Sequence, residues 1–267
     1  SFCSVFSKED TQNIKTCPTI PSQSQIRDIY FSASMVKEKI SNLKQNSAPG
    51  PDGITPRFLK DHSDILSLPL SIIFNKSMYS STVPKDWKDA NVTPIFKKEA
   101  KSSPDNYRPV SLTSVPCKIM ESIMRDKLVN HLLENKLINN SQHGFMQNKS
   151  CTTNLLEFLE RVTENIDRGV PMDIIYLDFS KAFDKVPRLR LIEKMKAHSI
   201  NGRLLKWIEN CSYKFHTENP PLEDGAISYA DSACSLRSML ATSASGLTRN
   251  PIVLWIISPI IKVRTNE

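Results

Sequence analysis

An aspartate at the end of a short apolar run is the first feature of this sequence that can do chemistry. Residues 173–178 read Asp-Ile-Ile-Tyr-Leu-Asp, a pattern typical of a buried strand that ends on Asp178. A carboxylate in that place can bind a divalent cation while the backbone after it turns around a triphosphate. Alternatively, Asp178 only caps the helix that follows. These residues alone leave both interpretations open.

A basic turn is the second such feature. Residues 90–96 alternate weakly between apolar and polar, and residues 107–112 can return as the partner strand, so we predict a β-hairpin with a polar turn at 97–105. The hairpin gathers four cationic side chains: Lys97, Lys98, Lys101 and Arg108. Such cations can bind phosphate oxygens. An ordinary solvated turn is the alternative.

Segments with helical spacing of apolar residues must position these groups. We predict helices at 34–44, 65–79, 117–133, 155–166, 190–197 and 203–210. The helix predicted at 155–166 has an apolar stripe that is expected to face the interior. The stripe consists of Leu155, Leu159, Val162 and Ile166. Residues 47–53, with two prolines and two glycines, predict a rigid turn, and residues 144–150 predict a loop. Residues 1–33 are expected to be a poorly ordered linker.

Charge and composition narrow the classes of protein. The 35 Lys and Arg residues exceed the 28 Asp and Glu residues, and the formal net charge of +7 favours a polyanionic partner. The longest apolar stretch, 251–261, is too short to span a membrane and contains two prolines, so no membrane partner is expected. Without a visible secretory leader, an intracellular location, in the nucleus or the cytoplasm, is expected. The six cysteines have no zinc-ligand spacing, so we expect reduced packing residues and no zinc.

Five blocks of the sequence, taken in order, carry a resemblance to a known family. They are Ser-Ala-Pro-Gly-Pro-Asp-Gly-Ile at 47–54, Pro-Ile-Phe-Lys-Lys at 94–98, Asn-Tyr-Arg-Pro-Val-Ser-Leu at 106–112, Gln-His-Gly-Phe at 142–145 and Leu-Asp-Phe-Ser-Lys-Ala-Phe-Asp at 177–184. Together they resemble the reverse transcriptase of non-long-terminal-repeat retrotransposons of the jockey and CR1 type. The resemblance runs from about residue 34 to residue 211.

The resemblance implies an α+β fold: a partial right-hand polymerase with helical fingers, a β-hairpin and a first palm strand, the palm being incomplete. Residues 34–211 would form the fingers and N-terminal palm, and residues 212–267 a divergent tail. By the same resemblance, Asp178 would be the first catalytic carboxylate that binds Mg²⁺. The backbone amide of Phe179 would contact the triphosphate, and Phe183 would be the steric gate that excludes a 2′-hydroxyl.

The resemblance also assigns substrate contacts outside the palm. Arg108 would reach the triphosphate from the hairpin, and Lys97 and Lys98 would contact the same phosphates or the template backbone. Three residues of the Gln-His-Gly-Phe block would lie near the template strand: Gln142, Gly144 and Phe145. The family usually continues this block with Arg-Pro-Gly-Arg-Ser, where residues 146–150 read Met-Gln-Asn-Lys-Ser. Residues 47–54 are expected to form a structural turn rather than a contact surface.

Two further palm blocks of the family are not found in the 267 residues. The Ser-Gly-Val-Pro-Gln-Gly-Ser block is missing, and the Ala-Asp-Asp hairpin has only a partial match in Tyr-Ala-Asp-Ser at 229–232. We therefore expect a reverse transcriptase (RNA-directed DNA polymerase) domain fragment, with RNA template, DNA primer and deoxynucleoside triphosphates as partners, that lacks autonomous activity. The alternatives are an RNA/DNA-hybrid-binding remnant without catalysis and an inert degenerate fragment.

Overall fold

The computed structural model describes residues 24–96, 101–102, 106–175 and 188–213, with the backbone alone at 108, 109, 212 and 213. The helices are α1 (Ala33–Ser41), α2 (Pro56–Asp61), α3 (Ser63–Ser80), α4 (Lys85–Lys88), α5 (Val115–Glu134), α6 (Cys151–Asp167), α7 (Arg188–Ala197) and α8 (Gly202–Tyr213). The strands are β1 (Ala90–Phe96) and β2 (Tyr107–Thr113). The described part is therefore a mixture of helices with a small antiparallel sheet.

The six predicted helices are all confirmed, as α1, α3, α5, α6, α7 and α8. Two short helices, α2 and α4, were not predicted. Helix α2 nevertheless carries a start signal, since the Thr55 side chain accepts a hydrogen bond from the Phe58 backbone N–H and Pro56 occupies the first turn. With six residues, α2 is too short to show an apolar repeat, which is why periodicity missed it.

The core lies between α1, α3, α5, α7 and α8. Its largest fully buried side chains include Trp207, Phe31 and Phe74. The rings of Phe31 and Phe74 meet edge to face with their centroids 5.7 Å apart, and Trp87 meets Phe74 at 5.8 Å. The indole N–H of Trp207 donates to the Ser77 hydroxyl at 2.9 Å, so burial of this large side chain leaves no polar atom unpaired.

The segment before α1 packs into this core, which corrects the expectation of a linker for residues 24–33. The Ile26 N–H donates to the Ser199 carbonyl at 3.0 Å, and the Asn201 N–H donates back to Ile26 at 2.9 Å. Further along, Phe31 has no exposed surface. Sequence reasoning missed this because the segment is extended, and a few apolar residues in an irregular segment give no period. Residues 1–23 lie outside the described part.

The predicted hairpin is confirmed. Strands β1 and β2 pair antiparallel from Ala90 opposite Thr113 to Phe96 opposite Tyr107. Ala90 and Thr113 are buried, whereas Ile95 and Phe96 are exposed, so the hairpin starts at the core and extends outward.

The turn at 47–53 is also confirmed, and it has a structural reason. A Cβ on Gly50 would lie 2.5 Å from the backbone nitrogen of Ser114, at the junction of β2 and α5. Only a residue without a side chain permits this approach, and Gly53 supplies the positive φ of 67° that the turn requires. This block fixes the base of the hairpin, as expected of a structural turn.

Two expectations of burial are wrong. Helix α6 has no buried residue, and along its stripe Leu155, Leu159 and Ile166 are exposed by 55%, 46% and 67%. Of the predicted strand at 173–178, the structure describes only 173–175, where Ile174 and Ile175 are exposed. The physical reason is the same: an apolar stripe becomes interior only if another element covers it, and none of the described elements does so here.

No described helix has the length and hydropathy to cross a membrane.

Candidate functional site

Most residues of the predicted catalytic centre lie outside the described part of the chain. These are Asp178, Phe179 and Phe183 of the palm block and Lys97 and Lys98 of the hairpin turn. Their assigned roles stay predictions. Arg108 is placed by its backbone, which pairs with Ile95 in the β1–β2 ladder.

The outer end of the hairpin is held together around an aromatic pair. The rings of Phe96 and Tyr107 lie edge to face with centroids 5.5 Å apart. The Lys101 ammonium lies 5.7 Å from the centre of the Phe96 ring, and the Tyr107 hydroxyl donates to the Lys101 carbonyl at 3.0 Å. These contacts keep one cation of the turn beside the strand that carries Arg108.

The residues predicted to contact the template lie in the loop that connects α5 to α6. The loop predicted at 144–150 is confirmed. The Gln142 side-chain amide donates to the Gly144 carbonyl at 3.1 Å, and its backbone N–H donates to Asn139 at 2.9 Å. Phe145 has a positive φ of 60° and is 54% exposed. The structure therefore brings Gln142, Gly144 and Phe145 together.

His143 is the residue of this loop that the sequence reasoning missed. Its side chain is only 7% exposed, and both ring nitrogens have partners on α6. Nδ1 lies 2.9 Å from the Thr153 hydroxyl oxygen, and Nε2 lies 2.8 Å from Glu157 Oε2. The resemblance covers position 143, but nothing local indicates a contact with residues ten and fourteen positions later.

Glu157 is the centre of the polar network around His143. Besides His143, it accepts from the Ser141 hydroxyl at 3.3 Å and forms an ion pair with Arg161 at 2.5 Å. The hydrogen bond from His143 is the main reason why the pKa of Glu157 lies below its ordinary value of 4.5, and the Arg161 charge adds to it. The carboxylate of Glu157 is thus stabilised in its ionised form.

The described residues do not include a ready metal site. Within 24–96, 101–102, 106–175 and 188–213, no three His, Cys, Asp or Glu side chains are close enough together to hold an ion. Because Asp178 lies outside these ranges, the Mg²⁺ site stays a prediction. None of the three described cysteines forms a disulfide; Cys117 and Cys211 are buried, and Cys151 is exposed.

Comparison with known families gives a match over half of the chain. The family model described as "Reverse transcriptase (RNA-dependent DNA polymerase)" matches residues 95–228. The matched stretch contains β2, helices α5 to α8 and the loop with His143, and also Asp178.

Similar proteins come from mobile elements. The chain is 28% identical over 162 residues to the probable RNA-directed DNA polymerase from transposon BS of Drosophila melanogaster, and 31% identical over 165 residues to the RNA-directed DNA polymerase from mobile element jockey of the same species. Each alignment covers 60% of this chain and 18% of the relative. The Pol polyprotein from type-2 retrotransposable element R2DM of Drosophila melanogaster is 26% identical over 64% of this chain and 16% of its own length. The chain thus spans less than a fifth of these relatives.

Proposed function

The chain belongs to the reverse transcriptase (RNA-dependent DNA polymerase) family, and we propose that it supplies the fingers and first catalytic strand of a non-long-terminal-repeat retrotransposon's RNA-directed DNA polymerase. The observation that carries the proposal is that the family match spans 95–228 and so includes β2 with Arg108, the loop at 142–145 and Asp178. The relatives named as RNA-directed DNA polymerases support the same activity.

In the proposed site, the hairpin serves the phosphates of the substrate. Arg108 binds the triphosphate of an incoming deoxynucleotide, for which a planar guanidinium with several donors is well suited. Lys97 and Lys98 add positive charge beside it or along the template backbone. The position of Lys101 against Phe96 supports this role, since it places a further cation at the outer end of the hairpin.

The proposed palm strand carries the chemistry. Asp178 would hold Mg²⁺, which would supply charge neutralisation at the phosphate being transferred. The backbone amide of Phe179 donates to the triphosphate, and the Phe183 ring lies under the sugar and rejects a 2′-hydroxyl. Because the 267 residues contain no Ala-Asp-Asp sequence, a single carboxylate does not complete a two-metal site. We therefore propose that this chain binds template and primer without extending them on its own.

Primer extension tests the catalytic half of the proposal. The chain is incubated with an RNA template, an annealed DNA primer, Mg²⁺ and deoxynucleoside triphosphates. We expect no extension of the primer by the chain alone. Extension that disappears in Asp178→Ala would show that the site is complete after all and would refute the proposed lack of autonomous activity.

The salt dependence of binding tests the proposed affinity for template and primer. It also tests the alternative of a hybrid-binding remnant. Affinity for a fluorescent RNA/DNA duplex is measured by anisotropy between 50 and 200 mM salt, where each phosphate contact contributes a slope of roughly −0.9 to log K against log salt. We expect Lys97→Ala with Lys98→Ala to reduce this slope by roughly 1 to 2. The matched control is Lys127→Ala with Lys206→Ala, which removes the same charge from exposed positions on α5 and α8. An equal change in both pairs would contradict a specific role for the hairpin.

A further inference from the structure

The loop between α5 and α6 holds strained backbone that needs an external support. Phe145 and Asn148, neither of them glycine, both have a φ of 60°. The left-handed region is unfavourable for residues with a side chain, so surrounding contacts must maintain it. The Gln142 side chain donates to the Gly144 carbonyl, and the Ser141 N–H donates to the Asn139 side chain. Both hydrogen bonds are local to the loop. They shape the loop but do not fix it against the rest of the protein.

His143 provides a link of that kind, because its ring lies between the loop and α6. Thr153 belongs to the capping box of α6, in which its hydroxyl donates to the Ser150 carbonyl at 3.0 Å and accepts from the Ser150 N–H at 2.8 Å. The same hydroxyl lies 2.9 Å from His143 Nδ1, within hydrogen-bonding distance. The carboxylate of Glu157 can only accept, so Nε2 of His143 donates to it.

The network continues from Glu157 into the loop and along α6. Ser141 binds Glu157 from the loop, and Arg161 binds it from the next turn of α6. None of the residues of α6 is buried, so apolar packing does little to hold α6 against the loop. The buried His143 ring contributes more to this attachment. Removing the ring takes away the hydrogen bond to Glu157 Oε2 and the contact with the Thr153 hydroxyl.

Phe145 lies two residues after this support. Its ring is more than half exposed on a backbone that is held in a left-handed conformation. An aromatic ring presented in this way can stack on a base of a single strand. The usefulness of Phe145 then depends on the loop geometry that His143 maintains.

We propose that His143 is a positioning residue for template binding, which acts through Thr153 and Glu157 to hold Phe145 against a base of the RNA template. This inference rests on the proposed function, because it takes the loop at 142–145 as the template contact. His143 itself does not touch the template; its effect passes through Phe145.

A double-mutant cycle on the full 267-residue chain tests the proposal. Affinity for a fluorescein-labelled RNA template carrying a DNA primer and a single-stranded overhang is measured by anisotropy at 100 mM salt, and circular dichroism checks that each variant is folded. Phe145→Ala should weaken binding roughly tenfold, the loss of one stacked base. His143→Phe, which fills the space without donors, should weaken it to a similar extent. The double variant should bind no more weakly than either single variant.

Conservative replacement separates positioning from general stability. His143→Gln keeps one side-chain donor and should restore part of the affinity lost in His143→Phe; it also remains usable if His143→Phe does not fold. His62→Phe, at an exposed histidine between α2 and α3, is the control and should bind as the wild type does.

Each outcome decides between the two proposals. Additive losses for His143 and Phe145, or unchanged binding in both His143 variants while Phe145→Ala binds more weakly, would overturn the positioning role and leave the proposed function standing. Unchanged binding in Phe145→Ala would also overturn it. A wild-type chain with no salt-dependent affinity for the template would overturn both.

Discussion

His198, at the end of α7, is a buried histidine whose ring has one satisfied nitrogen. Nδ1 donates to the Lys194 carbonyl at 2.6 Å, while Nε2 is buried and has no hydrogen-bond partner among the described residues. Burial is the main reason why the pKa of His198 lies below its ordinary value of 6.5; the hydrogen bond to the Lys194 carbonyl opposes this shift, and the charge of the Lys194 side chain adds to it. A proton on Nε2 would add an unpaired donor inside the protein.

The stability of the protein should therefore fall in mild acid. Well above pH 6.5 the His198 ring is neutral in both the folded and the unfolded chain, so its protonation takes nothing from the stability of the fold. As the pH falls below 6.5, the unfolded chain takes up a proton that the folded chain resists, and the free energy of unfolding decreases. Urea unfolding at pH 7.5 and 5.5 measures this decrease.

We expect His198→Gln to show a smaller difference between the two pH values than the wild type does. His62→Gln, at an exposed histidine, should keep the wild-type difference. Equal pH dependence in His198→Gln and the wild type would show that other groups are responsible.

At the scale of elements, α5 and α6 have different surroundings although both show an apolar repeat. In α5, Leu128 is completely buried, whereas in α6 Leu159 is 46% exposed. The free energy gained from an apolar side chain depends on the surface removed from water. The two leucines should therefore differ in what they contribute to folding.

Matched alanine substitutions test this difference. Leu128→Ala should reduce the free energy of unfolding by about 2 to 5 kcal/mol, because it removes packed methyl groups from the core. Leu159→Ala should change it by no more than about 0.5 kcal/mol, as is usual for exposed positions. Urea unfolding of the two variants checks both values, and a large loss in Leu159→Ala would show that the face of α6 is covered in solution.

At the scale of the whole molecule, the segment before α1 ties distant parts of the chain together. Residues 26 and 27 pair with the α7–α8 region, and the Asn75 side chain of α3 binds the backbone of Phe31 twice. Its amide oxygen accepts from the Phe31 N–H at 3.0 Å, and its amide nitrogen donates to the Phe31 carbonyl at 2.8 Å. One side chain thus satisfies both backbone groups of a fully buried residue.

Asn75→Ala should destabilise the whole described unit. It leaves two backbone groups of Phe31 without partners, and each such group costs about 1 to 3 kcal/mol if water does not replace the bond. Thermal unfolding followed by circular dichroism should show a midpoint several degrees below that of the wild type. Asn130→Ala, at an exposed position of α5, should leave the midpoint close to the wild-type value.

The amino-acid sequence by itself determined the local elements and the family. Helices α1, α3, α5, α6, α7 and α8, together with the hairpin, follow from apolar spacing and turn residues, which act between neighbours in the chain. The five blocks pointed to the reverse transcriptase family, which the match over 95–228 confirms. The catalytic roles of Asp178, Phe179 and Phe183 remain predictions, because these three residues lie outside the described part of the chain.

Tertiary structure alone decided which surfaces are buried and which polar groups meet. The stripe of α6 has the spacing of an interior face yet is exposed, and Phe31 lies in an irregular segment yet is completely buried. His143 finds its partners ten and fourteen residues away, on a helix whose position no local pattern specifies. The physical reason is that burial and hydrogen bonding depend on what another segment places opposite a residue, whereas periodicity reports only which residues of one segment share a face.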